Sequence, residues 1–576
     1  MNMLKKAKRV LALLLAAVML LSLAACGDNS NTPSGDDPDV GGNETVDTER
    51  TQLYVFNFSG GYGVEWLKLV KERYEELHKD DVYEEGKKGI QIVINNEKKL
   101  ATELEDQILN NRDEIYFTES AYYYTLLSKG VLGDITEAVT GDMSKYGDAA
   151  GSTLLDKMYE GQKTYLGVEE NGETKYYAYP HYASYTSLMY NVDLFEKEKY
   201  YFAKNVENPQ SIEDYFIVRS TDERSAGPDG EYGTVDDGLP ATFEEFFILC
   251  SYIASNGQTP VNWNGSHRDT YLGNLLQAMV ANVDGLDQTM LNFTMNGTAT
   301  NLGTATADGF VADGQATTIT AANGYEMLRS KGRYYALDFL SQLVSNKTYY
   351  NELGFNSSYS HLNAQEDFLY AGNDGGITAP IAMIVEGSWW ENEAEATYKD
   401  MVDSMGDNFA KENRNFAIMP LPKVSDEDVG KNTLCENSYS LCFMKANIAD
   451  WKKPIALDFI MFANSDEALA EFTQVTNTPK ALKYEMTAEQ LSSMTNFGRS
   501  VLELQKNSDI VFPYSSEPFY INNAGALAMV DMWHSAIGGT HYGSPSVPLR
   551  KDEASVADYF TGMKSYYENN WGNMVN

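Results

Sequence analysis

Residues Ile381 to Glu393 read IAMIVEGSWWENE. Five apolar residues run into Glu386, the chain turns at Gly387-Ser388, and two tryptophans follow directly, Trp389 and Trp390. A short apolar run bounded by Gly-Ser predicts a buried strand. The acidic residues after it predict a helix, with Ser388 as its N-cap and Glu391 as the reciprocal partner of a capping box. The two indoles would then sit at the mouth of a strand-to-helix turn, where loops carry function, rather than inside the core.

The N-terminus indicates export. Lys5, Lys6, Lys8 and Arg9 precede an apolar run from Val10 to Leu21 that is too short to span a membrane as a structural helix. It ends in Leu23-Ala24-Ala25-Cys26-Gly27, a small-residue cleavage site with a cysteine at the first mature position. This resembles the lipobox of bacterial lipoproteins, which implies a signal peptide over 1–25, a lipid on Cys26 and a place on the outer face of the cell membrane. Residues 27–50 hold only two apolar side chains, Val40 and Val46, so 26–50 is expected to be a disordered tether. Its reach as a flexible chain is roughly 25–30 Å.

The 526 residues that follow are too many for one core, so two or more domains are expected. Net charge is −39, and −43 once the four basic residues of the signal are removed. That surface repels nucleic acid and anionic lipid and leaves neutral or cationic partners. Tyrosine is abundant, 39 residues, which suits ligands with both hydroxyls and apolar faces and also simply fills sheets. Cys250 lies in the apolar helix FEEFFILCSYI and reads as a core residue. Cys435 and Cys442 read either as an exported disulfide or as two buried thiols.

Strands and helices alternate along the body, giving the α/β class. LYVFNF (Leu53 to Phe58), a helix bearing Leu67, Val70, Tyr74 and Leu77, and IQIVIN (Ile90 to Asn95) form a βαβ unit. Such sheets hold ligands at the carboxyl ends of their strands. The turn Ser59-Gly60-Gly61-Tyr62-Gly63 lacks the spacing of a phosphate cradle, and its glycines read as room for a ligand near the backbone.

Three stretches resemble one family. YAYPHYASYTSLMYNVDLF (Tyr177 to Phe195), AQEDFLYAGNDGGITAPIAMIVEGSWW (Ala364 to Trp390) and NFAIMPLP (Asn415 to Pro422) are similar to the inter-lobe crossing, the Gly-aromatic turn and the return crossing of extracellular solute-binding proteins of carbohydrate ABC importers, the maltose-binding-protein-like family. ATFEEF, KGVLGDIT and ALDFIMFANSDEAL match further elements in family order. The resemblance implies a two-lobed periplasmic-binding-protein-like fold hinged between two discontinuous α/β domains: 51–180 with about 420–475, and 181–419 with about 476–576.

It also implies a monomer that binds an oligosaccharide, is no enzyme, needs no cofactor, and delivers its ligand to ABC permease subunits. An α-glucan leads the candidate sugars, with xylo- and manno-oligosaccharides close behind. By position, Trp389 matches the stacking tryptophan, Ser59, Gly60 and Tyr62 the loop after the first strand, Glu119 the polar position after EIYF, Trp263 and Asn264 a further aromatic position, and Tyr182 the crossing. Trp390 is expected to pack behind. Where the prototype has charged residues in the first loop and an acid near Ser184, this chain has Ser, Gly and Ser, so the hydroxyl-binding pattern does not carry over.

The insertion AGPDGEYGTVDDG (226–238) sets Asp229, Glu231, Asp236 and Asp237 among glycines. It suits a structural calcium, and equally reads as a solvated acidic turn. Two other functions stay open: a lipid-anchored glycoside hydrolase, which needs two carboxylates across a cleft, and a binding protein for a peptide or other solute. The lipid expectation is testable: Cys26→Ser should release the protein from membranes or leave it unprocessed, and a correctly cleaved mutant that still partitions wholly with membranes would contradict it.

Overall fold

The computed structural model of the chain describes residues 45–119, 122–372, 379–437 and 440–575. The signal peptide, Cys26 and most of the expected tether lie outside the described residues. The last residues of that tether are ordered, contrary to expectation: Arg50 pairs with Glu75 at 2.9 Å, and the Asp47 amide donates to Gln91 Oε1 at 2.8 Å. An ion pair and a buried amide hold six residues that composition alone reads as solvated.

The chain opens with β1 (Thr51–Phe58), α1 (Glu65–Leu77), β2 (Ile90–Glu97), β3 (Ile115–Phe117) and β4 (Tyr179–Pro180). It continues through β5 (Thr186–Asn191), α2 (Phe243–Ser255), β6 (Thr259–Asn262), α3 (Arg268–Thr294), α4 (His361–Tyr370), β7 (Ile381–Gly387), α5 (Trp390–Glu393) and β8 (Phe416–Met419). Then come β9 (Thr433–Cys435), β10 (Leu441–Met444), α6 (Lys453–Phe462), α7 (Asp466–Thr476), α8 (Asn496–Lys506), β11 (Asp509–Val511) and α9 (Val556–Met574).

Two sheets result. The first runs β2-β1-β3-β10-β4, with β1 parallel to β2 and β3 and with β10 antiparallel to both its neighbours. The second runs β8-β5-β7-β6, with β7 antiparallel to β5 and parallel to β6. Each has its own core. Leu53, Val55, Tyr116, Phe443 and the inner face of α1 (Trp66, Leu67, Val70, Tyr74) belong to the first. Leu77, expected on that face, is 57% exposed because it closes the last turn. Every residue of β7 is buried, as an interior strand covered on both faces must be. One face of its sheet carries Leu188, Met383 and Val385; the other carries Met189, Ile384 and Trp390.

The chain passes between the lobes at 181–185, between β4 and β5. The return differs from the expected position near Pro420. Leu421 and Cys435 still pack in the second core, β9 pairs with β11, and the first sheet is rejoined only at Leu441. A third passage lies near Pro479. The segments are laced together: His181 N donates to Ser440 O (3.0 Å), Asn437 N to Ser184 O (3.0 Å) and Ala183 N to Pro479 O (3.2 Å). Cys435 and Cys442 are free thiols buried in different cores, which removes the disulfide alternative.

The turn that opens the sequence folds differently in detail. α5 has Trp389 at its N-cap with no side-chain cap. Ser388 Oγ instead accepts from Tyr185 N at 3.3 Å, and Glu391 accepts from Thr495 Oγ1 at 2.7 Å. Tertiary partners therefore outbid the local capping box. Trp390 is fully buried and meets Phe368, Phe416 and Phe497 edge-on, with centroids at 5.6, 5.2 and 5.6 Å. Trp390→Ala should therefore cost ~3–5 kcal/mol through the cavity it leaves. A thermal melt within a degree of the parent would contradict this packing.

Candidate functional site

A cavity of about 320 Å³ lies between the lobes. Its walls come from the loop after β1 (Gly60 to Gly63), from Glu119 after β3, from the crossing residues Tyr182 and Ser184, and from Trp389 and Glu393 around α5. The lobes touch across it. A methyl carbon placed on Gly61 would stand 3.0 Å from Trp389 Cβ and 3.2 Å from Glu393 Cγ. Glycine is what lets this loop close onto the second lobe. The indole of Trp389 in turn folds back over Gly387, where an added Cβ would stand 2.2 Å from its six-membered ring. Trp389 is half-buried, one face fixed by β7 and the side chain lining the cavity.

Polar groups meet these rings. Tyr62 and Tyr182 lie with ring centroids 4.3 Å apart, inclined at 59°. Ser184 is 2% exposed and lines the cavity, yet its Oγ has no hydrogen-bond partner among the described residues. Burial, reinforced by the charge of Glu393, pushes the Glu119 carboxyl up to about 7. Gln365 Nε2 donates to both Glu393 and the buried Glu386, each at 3.1 Å. Burial and then Glu393 hold Glu386 well above the usual carboxylate range. On the floor, Lys480 Nζ and His181 Nδ1 lie 2.7 Å apart. Lys480 is buried beneath Trp66 and Phe472, and burial lowers it to about 7.

The structure thus brings Gly60, Tyr62, Glu119, Tyr182 and Trp389 to one cavity. It does not bring Ser59, Trp263 or Asn264 there. Ser59 is buried off the cavity, with its Oγ accepting from Asn96 at 3.3 Å. Trp263 is fully buried, its indole N–H donates to Gly354 O at 2.9 Å, and its ring rests against Tyr350. Asn264 Oδ1 is taken by the Ser266 hydroxyl and the His267 amide. The loop around 350–356 covers this strand end and makes it core. Reading by position also misses Glu393 and Asn274 of α3, and Ser184, noted only as a departure from the prototype, lines the cavity.

The acidic insertion caps itself. Asp236 accepts from Thr234 Oγ1 (2.6 Å) and Asp229 N (3.1 Å), Asp237 from Gly233 N (2.9 Å), and Asp229 from Glu231 N (2.7 Å). Burial, with the charge of Asp229, pushes Asp236 up to about 7. Among the described residues no three His, Cys, Asp or Glu side chains converge to hold a metal, so Asp229, Glu231, Asp236 and Asp237 do not form the expected calcium donor set.

No protein-family model and no curated protein matches the sequence. Solved structures do. RafE from Streptococcus pneumoniae, in its apo form, aligns with a TM-score of 0.52 over 91% of this chain and 99% of that one, at 12% identity. A protein from a study of xylan utilization by Caldanaerobius polysaccharolyticus aligns at 0.52 over 89% and 99%, at 13% identity. One described as a chitin oligosaccharide binding protein aligns at 0.50 over 91% and 100%, at 13% identity. The chain has the two-lobed α/β fold of the solute-binding proteins. At such identity the likeness establishes the fold alone.

In that fold a half-buried carboxyl of raised pKa leaves a signature. The folded state holds the Glu119 proton more tightly than the unfolded chain. Its stabilising contribution is full below the unfolded value near 4.5 and is lost as pH rises through about 7. Glu119→Gln should flatten the melting temperature across this window and stabilise the protein by ~1–2 kcal/mol at the alkaline end, after discounting for partial solvent screening. Melts that fall equally in parent and mutant would contradict the assignment.

Proposed function

We propose that this chain is an extracellular, lipid-anchored binding protein for a short oligosaccharide, which it delivers to the permease of an ABC importer. The observation that carries the proposal is the inter-lobe cavity, where the half-buried indole of Trp389 stands beside unsatisfied polar groups. A pyranose offers an apolar face of C–H bonds and a rim of hydroxyls, and this lining is complementary to both. The Ser184 hydroxyl and the Glu119 carboxyl are placed to bond ring hydroxyls. The volume is at the small end of the ~300–1,000 Å³ usual for ligand pockets, which favours a few sugar units.

Two of the similar structures are described by sugars they bind, raffinose for RafE and chitin oligosaccharide for another. The fold they share with this chain supports a sugar here. Malto-oligosaccharides lead the candidates, with xylo- and manno-oligosaccharides close behind. The reading needs no cofactor and no catalytic step, and the protein acts as a monomer tethered through Cys26, with no nucleic-acid partner.

Glu119 and Glu393 also give a hydrolase reading a concrete basis, since a raised carboxyl beside a second one is the arrangement of a general acid and its partner. Incubation with oligosaccharides followed by product analysis separates the two; release of shorter sugars that stops in Glu119→Gln would favour the hydrolase. For the binding reading, calorimetric titration with neutral oligosaccharides should show saturable binding. Trp389→Ala should weaken it at least ~30-fold, on the order of 2 kcal/mol. Unchanged affinity in that mutant would remove Trp389 as the platform.

A further inference from the structure

The cavity has more carboxyl groups than a neutral sugar needs. Glu119 and Glu393 both line it, and the exposed Lys98 acts on Glu119 across it. Glu386, a third carboxyl, is buried beside Glu393 behind the wall and shares the same Gln365 amide. A single amide bridges two carboxyls; the second Glu386 oxygen accepts from the Gly387 amide at 3.1 Å, while Gln365's own Oε1 is buried and unpartnered among the described residues. The cations in reach help only in part: Lys98 opposes the burial of Glu119 without overcoming it. Lys98 lines the cavity from an exposed position, and Lys480 sits behind His181 in an aromatic box. Clustered like charges in a desolvated site repel strongly and are relieved by a cation. The divalent route is not built, because no described trio of carboxylate or imidazole ligands converges. The other lining groups favour an organic cation: Tyr62 and Tyr182 present aromatic surface beside Glu119, and the buried Ser184 hydroxyl lacks a partner.

We propose that the ligand is an amino sugar, a short oligosaccharide carrying a protonated amino group that seats between Glu119 and Glu393 while a neighbouring ring rests on Trp389. The proposal rests on the sugar-binding reading and adds the charge of the substrate. It accounts for an acidic cleft in a chain whose whole surface is acidic, since such a surface attracts a cationic solute before the cleft selects it.

Seating an ammonium there favours the ionised form of Glu119 and releases its proton to buffer. The groups that face Glu119 are Glu393, Lys98, Tyr182 and Tyr62, with Glu386 beyond Glu393 and the His181–Lys480 pair on the floor. Burial and the charge of Glu393 shift the Glu119 carboxyl toward neutrality, so it is the proton source that the release reports on.

The test is calorimetry of the purified protein in chelator, near pH 7, with three probes: the glucosamine disaccharide, its N-acetylated form, and cellobiose. Repeating each titration in two buffers of different ionisation enthalpy counts the protons released. The glucosamine disaccharide should bind about tenfold or more tightly than either neutral probe, the size expected of one charge-assisted contact, and should release protons where the neutral probes release none. In Glu119→Gln and Glu393→Gln the ratio of amino to neutral affinity should fall toward one, and Glu119→Gln should abolish the release. Neutral probes binding as well as the amine, without proton release from any, would overturn the amino-sugar inference and leave the sugar reading standing. Failure of all three disaccharides, together with the neutral oligosaccharides above, would overturn the sugar reading itself.

Discussion

The two lobes, each with apolar residues of its own, are held at one seam. Residues 181–185 run between Ser440 and Asn437 on one side and Pro479 on the other, and this lacing of three passages is what the rest of the molecule depends on. Because each sheet buries its own apolar residues, the seam need carry little packing, and hydrogen bonds between extended segments can hold it while the lobes turn. It also fixes what lies beneath the cavity. His181, Tyr182 and Ser184 belong to a crossing segment and line the cleft at once, so any change in lobe angle changes the site.

The cleft is costly by design. It holds a half-buried Glu119, a buried Glu386 and an unpartnered Ser184 hydroxyl, each of which destabilises the free protein relative to an apolar wall. A ligand that satisfied these groups would recover part of that free energy on binding. Glycine at 61 lets the first lobe approach Trp389 closely, and glycine at 387 leaves room for the Trp389 ring to fold back over its own strand.

Much of this was legible in the sequence because it is local. The apolar run before Gly387 is an interior strand, and the adjacency of Trp389 and Trp390 forces their side chains to different surroundings, one to the cavity and one among Phe368, Phe416 and Phe497. Trp263 was misread for a matching reason. A tryptophan at a strand end looks the same whether or not a later segment covers it, and the cover here, Gly354 with Tyr350 and Phe355, comes some ninety residues downstream. Ser388 and Glu391 failed as a capping box because Tyr185 and Thr495, distant in sequence, claim them. The return crossing near Pro420 was misplaced because the prolines stop β8 without sending the chain across, and β9 extends the second lobe first. Glu393 carries no local signal at all; only its placement opposite Glu119 makes it part of the site.

The central claim is that the cavity between the lobes holds a sugar against Trp389. A crystal structure of the protein with its tightest-binding oligosaccharide tests this most directly. The account predicts a sugar ring packed on the Trp389 indole inside that cavity, a hydroxyl within hydrogen-bond reach of Ser184 Oγ, and the Gly60–Gly63 loop closed against the second lobe. A sugar bound elsewhere on the surface, with the inter-lobe cavity empty, would contradict it.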